Sequence, residues 1–237
     1  MSLDAFFDAM APMLSGRTSA RTVVDAVGPS STGEESLGFY NEMIRRNHAK
    51  LLGDIFVHLR GLIVRESPGT WERIIAGYRL AHPASHWDPN LYAEHFSNYL
   101  REQREDGAAL HPIYEELADF AFVRQRAFFG NHTEGDAYEQ RIFVRQYSHP
   151  VSDFLPELHN NPDAPIPAAR PQVVIVYRHA RDHSLHNLLP TAAGLAAVAR
   201  RQGMTQLPAM FASLSDEDIA AADRALVQRG LFTERTS

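Results

Sequence analysis

Val173-Val174-Ile175-Val176-Tyr177 is the stretch on which the fold turns. An unbroken run of β-branched and aromatic residues fits a buried strand better than a helix. The polar residues Arg178 to Asp182 can turn the chain, and Ser184 to Leu188 can return as the second arm of a hairpin. Downstream, Pro190 opens a helix to about Arg201, which Gly203 stops, and Leu207 to Phe211 is expected as a short helix. Ser215 precedes Asp216-Glu217-Asp218, an N-cap followed by charge that complements the helix dipole. That helix carries Ile219, Leu226 and Val227 and ends at Gly230, with Leu231-Phe232-Thr233 expected as a short terminal strand.

Toward the N-terminus, Pro150, Pro156, Pro162, Pro165, Pro167 and Pro171 punctuate a segment that should exclude regular helix. Arg141 to Val144 can form a short strand, and Asn131 to Gly135 is polar. Before Gly130 the pattern is helical. Leu37, Tyr40, Ile44, His48, Leu51, Ile55 and Leu59 recur at spacings of three and four, predicting one long helix from Glu34 to about Val64. Gly53 and Gly61 are the expected places for a bend.

Thr70 can cap a helix bearing Trp71, Ile74, Ile75 and Tyr78 that stops before His82-Pro83. Asp88-Pro89 starts another, with Leu91, Tyr92, Phe96, Tyr99 and Leu100. A further helix from near Pro112 carries Ile113, Leu117, Phe120, Ala121 and Phe128. Residues 3–14 read as an amphipathic helix with Leu3, Phe6, Phe7 and Met10 on one side. Between it and Glu34, Gly16, Gly28, Pro29, Ser30, Ser31 and Gly33 mark a mobile connection. The expected fold class is α+β and mostly helical. It comprises a helical bundle over 1–130, a Pro-rich linker with a short strand over 131–171, and a small α+β domain over 172–237.

At 237 residues the chain suits one large domain or two small ones. No apolar run reaches the roughly 20 residues of a membrane span, and Met1-Ser2-Leu3-Asp4 has no basic signal-peptide start, so a cytoplasmic location is expected. Cysteine is absent, which removes disulfides, thiolate metal sites and cysteine nucleophiles together. The formal net charge is -6, a poor match to a phosphate backbone. Lys50 is the only lysine, a bias assigned to composition.

No G-x-S-x-G elbow, H-E-x-x-H pair or P-loop occurs, and Glu34-Glu35 and Glu115-Glu116 read as solvated helix carboxylates. The chain therefore reads as a binder rather than an enzyme. His179, His183 and His186 with Asp182 form the densest metal-ligand cluster, but in a hairpin turn such side chains point to different faces. His82 and His86 flank Pro83 and cannot share a helix face. The strand 173–177 has two readings: plain core, or, where it or its hairpin partner lies at a sheet edge, free amides and carbonyls that accept an extended peptide.

The order of these elements carries a resemblance. Phe39-Tyr40-Asn41-Glu42-Met43-Ile44, with Asn47 and Leu51, is similar to the opening-helix motif of the HvfC/BufC family, whose helical module bears the name of a DNA-binding domain. Trp71 to Tyr78 with His82-Pro83 and Ser85 follows its second helix and loop, and Tyr92, Phe96 and Tyr99-Leu100 its third. Glu116-Leu117-Ala118 with Phe120 follows the fourth. Tyr147-Ser148-His149-Pro150-Val151 resembles the linker motif, and Val174 to Arg178, with Asp182 and Leu188, the strand of the second domain. The similarity spans roughly residues 34 to 202, and Ala121 stands where relatives carry an acid.

The resemblance implies a non-catalytic partner subunit, as in methanobactin biosynthesis. Such a subunit associates as a heterodimer with a multinuclear non-haem iron oxidase that matures ribosomally made peptides. The iron would belong to the oxidase, and this chain would hold no cofactor. Docking on the enzyme would use Tyr40, Met43, Asn47 and His82. The precursor's leader peptide would lie along Val173, Val174, Ile175, Val176, Tyr177 and Arg178, in a domain like a peptide-recognition element. The helix ending at Gly230 also resembles the close of a winged-helix module, so a DNA-binding transcriptional regulator is the second reading. Acids at that helix's N-terminus oppose phosphate contact.

Overall fold

The computed structural model describes residues 3–28, 34–83, 89–130 and 141–233. The expectations placed on Pro29 to Gly33, Ser85, His86, Asp88 and Asn131 to Gly135, and on the side chain of Leu3, lie outside the described residues. Among those residues the chain is mostly helical α+β, with ten α-helices and one antiparallel sheet of three strands. It divides into two compact units, 1–118 and 119–237. The division falls within the helix Ile113–Phe129 rather than at Gly130. The stretch expected as a Pro-rich linker with a short strand supplies that strand, and a helix as well, to the second unit.

The first unit begins with α1 (Leu3–Leu14) and α2 (Ala20–Val27). The second of these replaces the expected mobile connection. Ser19 holds extended backbone and its Oγ accepts from the Thr22 N–H at 3.2 Å, so an ordinary N-cap starts the helix. Met10, Met13 and Val23 are buried together, while Phe7, expected on the same side, is exposed.

The long helix predicted from Glu34 is two, α3 (Glu34–Ile55) and α4 (Val57–Glu66). Neither glycine makes the break. It lies at Phe56, which leaves helical geometry (φ -108°, ψ 34°) and buries its ring against Phe96 at 4.6 Å. Next come α5 (Thr70–Ala81), a 3₁₀ turn (Pro89–Leu91), α6 (Phe96–Glu105) and the start of α7 (Ile113–Phe129). The cap position of α5 is Gly69, at φ +80°, and not Thr70, whose hydroxyl instead hydrogen-bonds Ser67 at 2.8 Å.

The core of this unit is aromatic. Tyr78 is fully buried, meets Phe96, Tyr92 and Tyr99 edge to face, and donates its hydroxyl to the Tyr92 carbonyl at 2.5 Å. Burial holds the Tyr78 phenol well above its ordinary pKa. Arg104 clamps Glu115 through two bonds of 3.1 Å, tying α6 to the first turn of α7.

The second unit contains the rest of α7, β1 (Ile142–Tyr147), α8 (Val151–Asn160), β2 (Gln172–Arg178), β3 (Leu185–Leu188), α9 (Ala192–Arg201) and α10 (Asp216–Gln228). Helix α8 forms despite Pro156 inside it, against expectation. An interior proline costs about 3 kcal/mol. Full burial of Val151, Phe154 and Leu158, at about 1.5–3 kcal/mol each, outweighs that.

The strands run in the order β1-β2-β3, both pairs antiparallel. Ile142 faces Tyr177 and Ile175 faces Leu188, so the alternation of side chains defines two sheet faces. One face presents Ile142, Val144, Ile175, Tyr177 and Leu188 to α9 and α10 through Ala196, Val198, Ile219 and Leu226. The other carries Arg145, Tyr147 and Arg178, and α7 lies on it: Asp119 accepts from Tyr147 Oη at 2.7 Å and Arg145 Nε at 3.1 Å. Ser215 and Asp218 form a reciprocal capping box at the head of α10. Leu231 and Phe232 are not a strand but are buried in the core facing α9 and α10.

Candidate peptide-binding edge and partner-docking face

Two surfaces were expected to carry function, one in each unit. In the second unit the expected strand is not the open edge of the sheet. Strand β2 is the middle of the sheet, paired with β1 along its length and with β3 from Ile175 to Arg178. Val174, Ile175 and Val176 are fully buried. Among the described residues both sides of β2 are taken from Ile175 to Tyr177, so within the expected acceptor run Val173 to Arg178 that central part reads as core.

Arg178 likewise has a structural task. Its side chain is 3% exposed, and Nη1 donates to the carbonyls of Phe128 at 3.2 Å and Gly130 at 2.6 Å. These are carbonyls that the end of α7 leaves without intrahelical partners. Desolvation pulls the guanidinium pKa down from its ordinary value, the mark of a charge taken out of water.

The open edge belongs to β3. The His179 N–H donates to the Ser184 carbonyl at 2.8 Å, and hydrogen-bonded pairs alternate along an antiparallel ladder. In the observed register the pairs Tyr177–His186 and Ile175–Leu188 therefore bond inward, and Leu185 and Asn187 turn their amides and carbonyls outward. Among the described residues no strand pairs with that side. His186 and Asn187 are exposed, and His186 stacks on Tyr177 with centroids 5.4 Å apart. Arg124 of α7 reaches the Asn187 side chain at 2.6 Å, and one turn farther along α7 Phe128 and Phe129 are 52% and 60% exposed.

The hairpin turn holds polar groups that invite a catalytic reading. Asp182 Oδ1 accepts from the Ser184 N–H at 2.9 Å and from its hydroxyl at 2.5 Å, and Ser184 Oγ lies 2.7 Å from His186 Nε2. These bonds, the hydroxyl's first, hold the Asp182 carboxyl below its ordinary pKa. Serine stands between acid and imidazole, so the carboxylate does not orient the base as a catalytic relay requires. His179 Nδ1 accepts the amides of Arg181 and Asp182, which occupies its lone pair. Among the described residues no three His, Asp or Glu side chains converge on a point suited to a metal ion.

In the first unit the early turns of α3 expose apolar side chains. Phe39 is 71% exposed, Tyr40 48% and Met43 37%, at positions i, i+1 and i+4 of one helix. Asn47, one turn on, is exposed as well. Beside them Glu42 accepts from Arg45 and Arg46 at 2.6 and 2.7 Å, and those bonds pull its pKa down to about 2. His82 is different. It lies half-buried at the end of α5, stacked on Tyr78 and 5.2 Å from the His95 ring.

The sequence offered the hairpin partner Ser184 to Leu188 as a possible edge without naming Leu185 or Asn187, and it read Phe128 only as an apolar residue of its helix, because edge position is settled by strand pairing and exposure by packing. No protein-family model matches the chain, and no curated protein matches it.

Proposed function

We propose that this chain is a non-catalytic partner subunit that holds an extended peptide along the outer edge of β3 and docks on an enzyme through the exposed face of α3. The outward amides and carbonyls of Leu185 and Asn187 carry this reading. An added strand would gain roughly 0.5–1.5 kcal/mol per main-chain bond, while Phe128 and Phe129 offer apolar contacts for side chains of the bound peptide. Phe39, Tyr40 and Met43 supply the aromatic and methionine content typical of protein interfaces.

The resemblance set out above supplies the partner's class. We take it to be an iron-dependent oxidase that modifies a ribosomally made precursor of methanobactin type, with the precursor's leader as the peptide. The iron would reside in that enzyme.

The decisive experiment mixes the purified chain with such an oxidase and a fluorescent leader peptide. Co-elution of the two proteins on size exclusion, with saturable peptide anisotropy, supports the proposal. Separate elution at micromolar concentration sinks it. Asn187→Pro removes one outward N–H without touching an inward ladder bond, and should abolish peptide binding while the fold survives.

A further inference from the structure

A cleft of about 380 Å³ opens on the first unit between α3, α4 and α5. Its apolar lining includes Trp71, Ile75, Ala49 and Ala76, and its charged lining Arg45, Lys50, Arg60, Arg79, Asp54 and Glu72. These charges do not all cancel. Arg45 is held by Glu42 at 2.6 Å, and Lys50 pairs with Asp54. Among the described residues Arg60 and Arg79 form no ion pair, and neither does Glu72. Arg45, Lys50, Arg60 and Arg79 line the cleft against Asp54 and Glu72, and the Glu42 carboxylate on Arg45 is shared with Arg46, so the cleft keeps a positive excess.

Arg79 is the more consequential of the two. Its Nε and Nη1 are sealed from solvent without a hydrogen-bond acceptor among the described residues. Its guanidinium packs against Gly16, where a Cβ would meet it. Tyr92 Oη and His48 Nδ1 are also buried without partners. The His48 and Tyr92 rings stack 4.4 Å apart, and burial followed by the charge of Arg79 holds His48 below its ordinary pKa. A guanidinium keeps its charge in any protein environment, and an uncompensated charge at a partly desolvated site is costly.

We propose that this cleft binds a small monocarboxylate with an apolar body, its carboxylate on Arg79 and Arg60 and its body over Trp71 and Ile75. The positive excess selects an anion. The volume lies at the small end of the roughly 300–1,000 Å³ range of ligand pockets, which suits a molecule the size of benzoate. The site is independent of the peptide edge and the docking face.

Titration calorimetry of the full chain with benzoate tests it, with the isosteric neutral benzamide and inorganic phosphate as comparison probes. Expected are saturable benzoate binding, no benzamide binding, and phosphate binding much weaker for want of an apolar body. Arg79→Gln and Arg60→Gln should each weaken benzoate by at least about tenfold, as loss of a charge-assisted bond does. Absent benzoate saturation, equal binding of benzamide, or unchanged affinity in both variants would overturn the proposal. Should Arg79→Gln fail to fold by circular dichroism, Arg60→Gln and a fall in affinity with added salt decide the matter.

Discussion

Gly230 and His179 approach so closely that a Cβ on the glycine would fall on the imidazole ring. Gly230 also sits at φ +69°, and its carbonyl accepts from the Ala180 N–H at 2.8 Å. The end of α10 is thereby locked to the hairpin between β2 and β3. Gly230→Ala should destabilise the second unit by about 2–4 kcal/mol, combining left-handed strain with overpacking. Gly203→Ala, at φ +85° but in open space, should cost only the strain, about 1–2 kcal/mol. Urea unfolding of both variants measures the difference, and equal losses would show that contact with His179 contributes nothing.

Arg178 is predicted to act on stability and not on peptide affinity. Arg178→Met removes two bonds to carbonyls at the end of α7 and should cost roughly 3 kcal/mol, since those acceptors lose a charged donor. Amide hydrogen exchange in the last turns of α7 should speed up. Peptide binding lost in a variant of wild-type stability would contradict this assignment.

The pH dependence of the first unit should include His48. Its folded pKa is lowered by burial and then by Arg79, so between that value and the unfolded value near 6.5 the unfolded chain binds more protons. Its stabilising contribution is full above about pH 6.5 and is lost as pH falls toward the folded pKa. His48→Phe keeps a ring against Tyr92 and should flatten the rise in urea midpoint between about pH 5 and 7. His82, lowered by burial and His95, retains part of the slope.

The α3 face should separate binding from folding. Phe39→Ser with Met43→Ser removes exposed apolar surface only, so stability should change by less than about 0.5 kcal/mol. Association with the partner enzyme, read by size exclusion, should be lost. A variant that unfolds would instead mark these residues as core.

Much of the local structure was legible because its causes are local. The β-branched run gave β2, Ser215 with Asp218 gave the start of α10, and Gly203 ended α9. Helix α2 was not legible: it is short and flanked by serine and glycine, and the burial of Val23 against Met10 and Met13 adds to the Ser19 cap in securing it. The break at Phe56 follows from a ring finding Phe96, forty residues away in the chain, which no glycine signal could report.

The candidate site divides along the same line. The sequence by itself determined that Val173 to Tyr177 is a strand with a hairpin partner, and that Tyr40 and Met43 share a helix with a polar face. Only the tertiary structure decided which strand is the edge. Edge position depends on what pairs from both sides, and β1, expected as a short strand but with no partner assigned, takes one side of β2 and leaves β3 open. Arg178 changed roles for the same reason: its neighbours are the carbonyls at the end of α7, some fifty positions away in the chain. Periodicity and capping act within a few residues, whereas pairing and burial are settled by segments far apart.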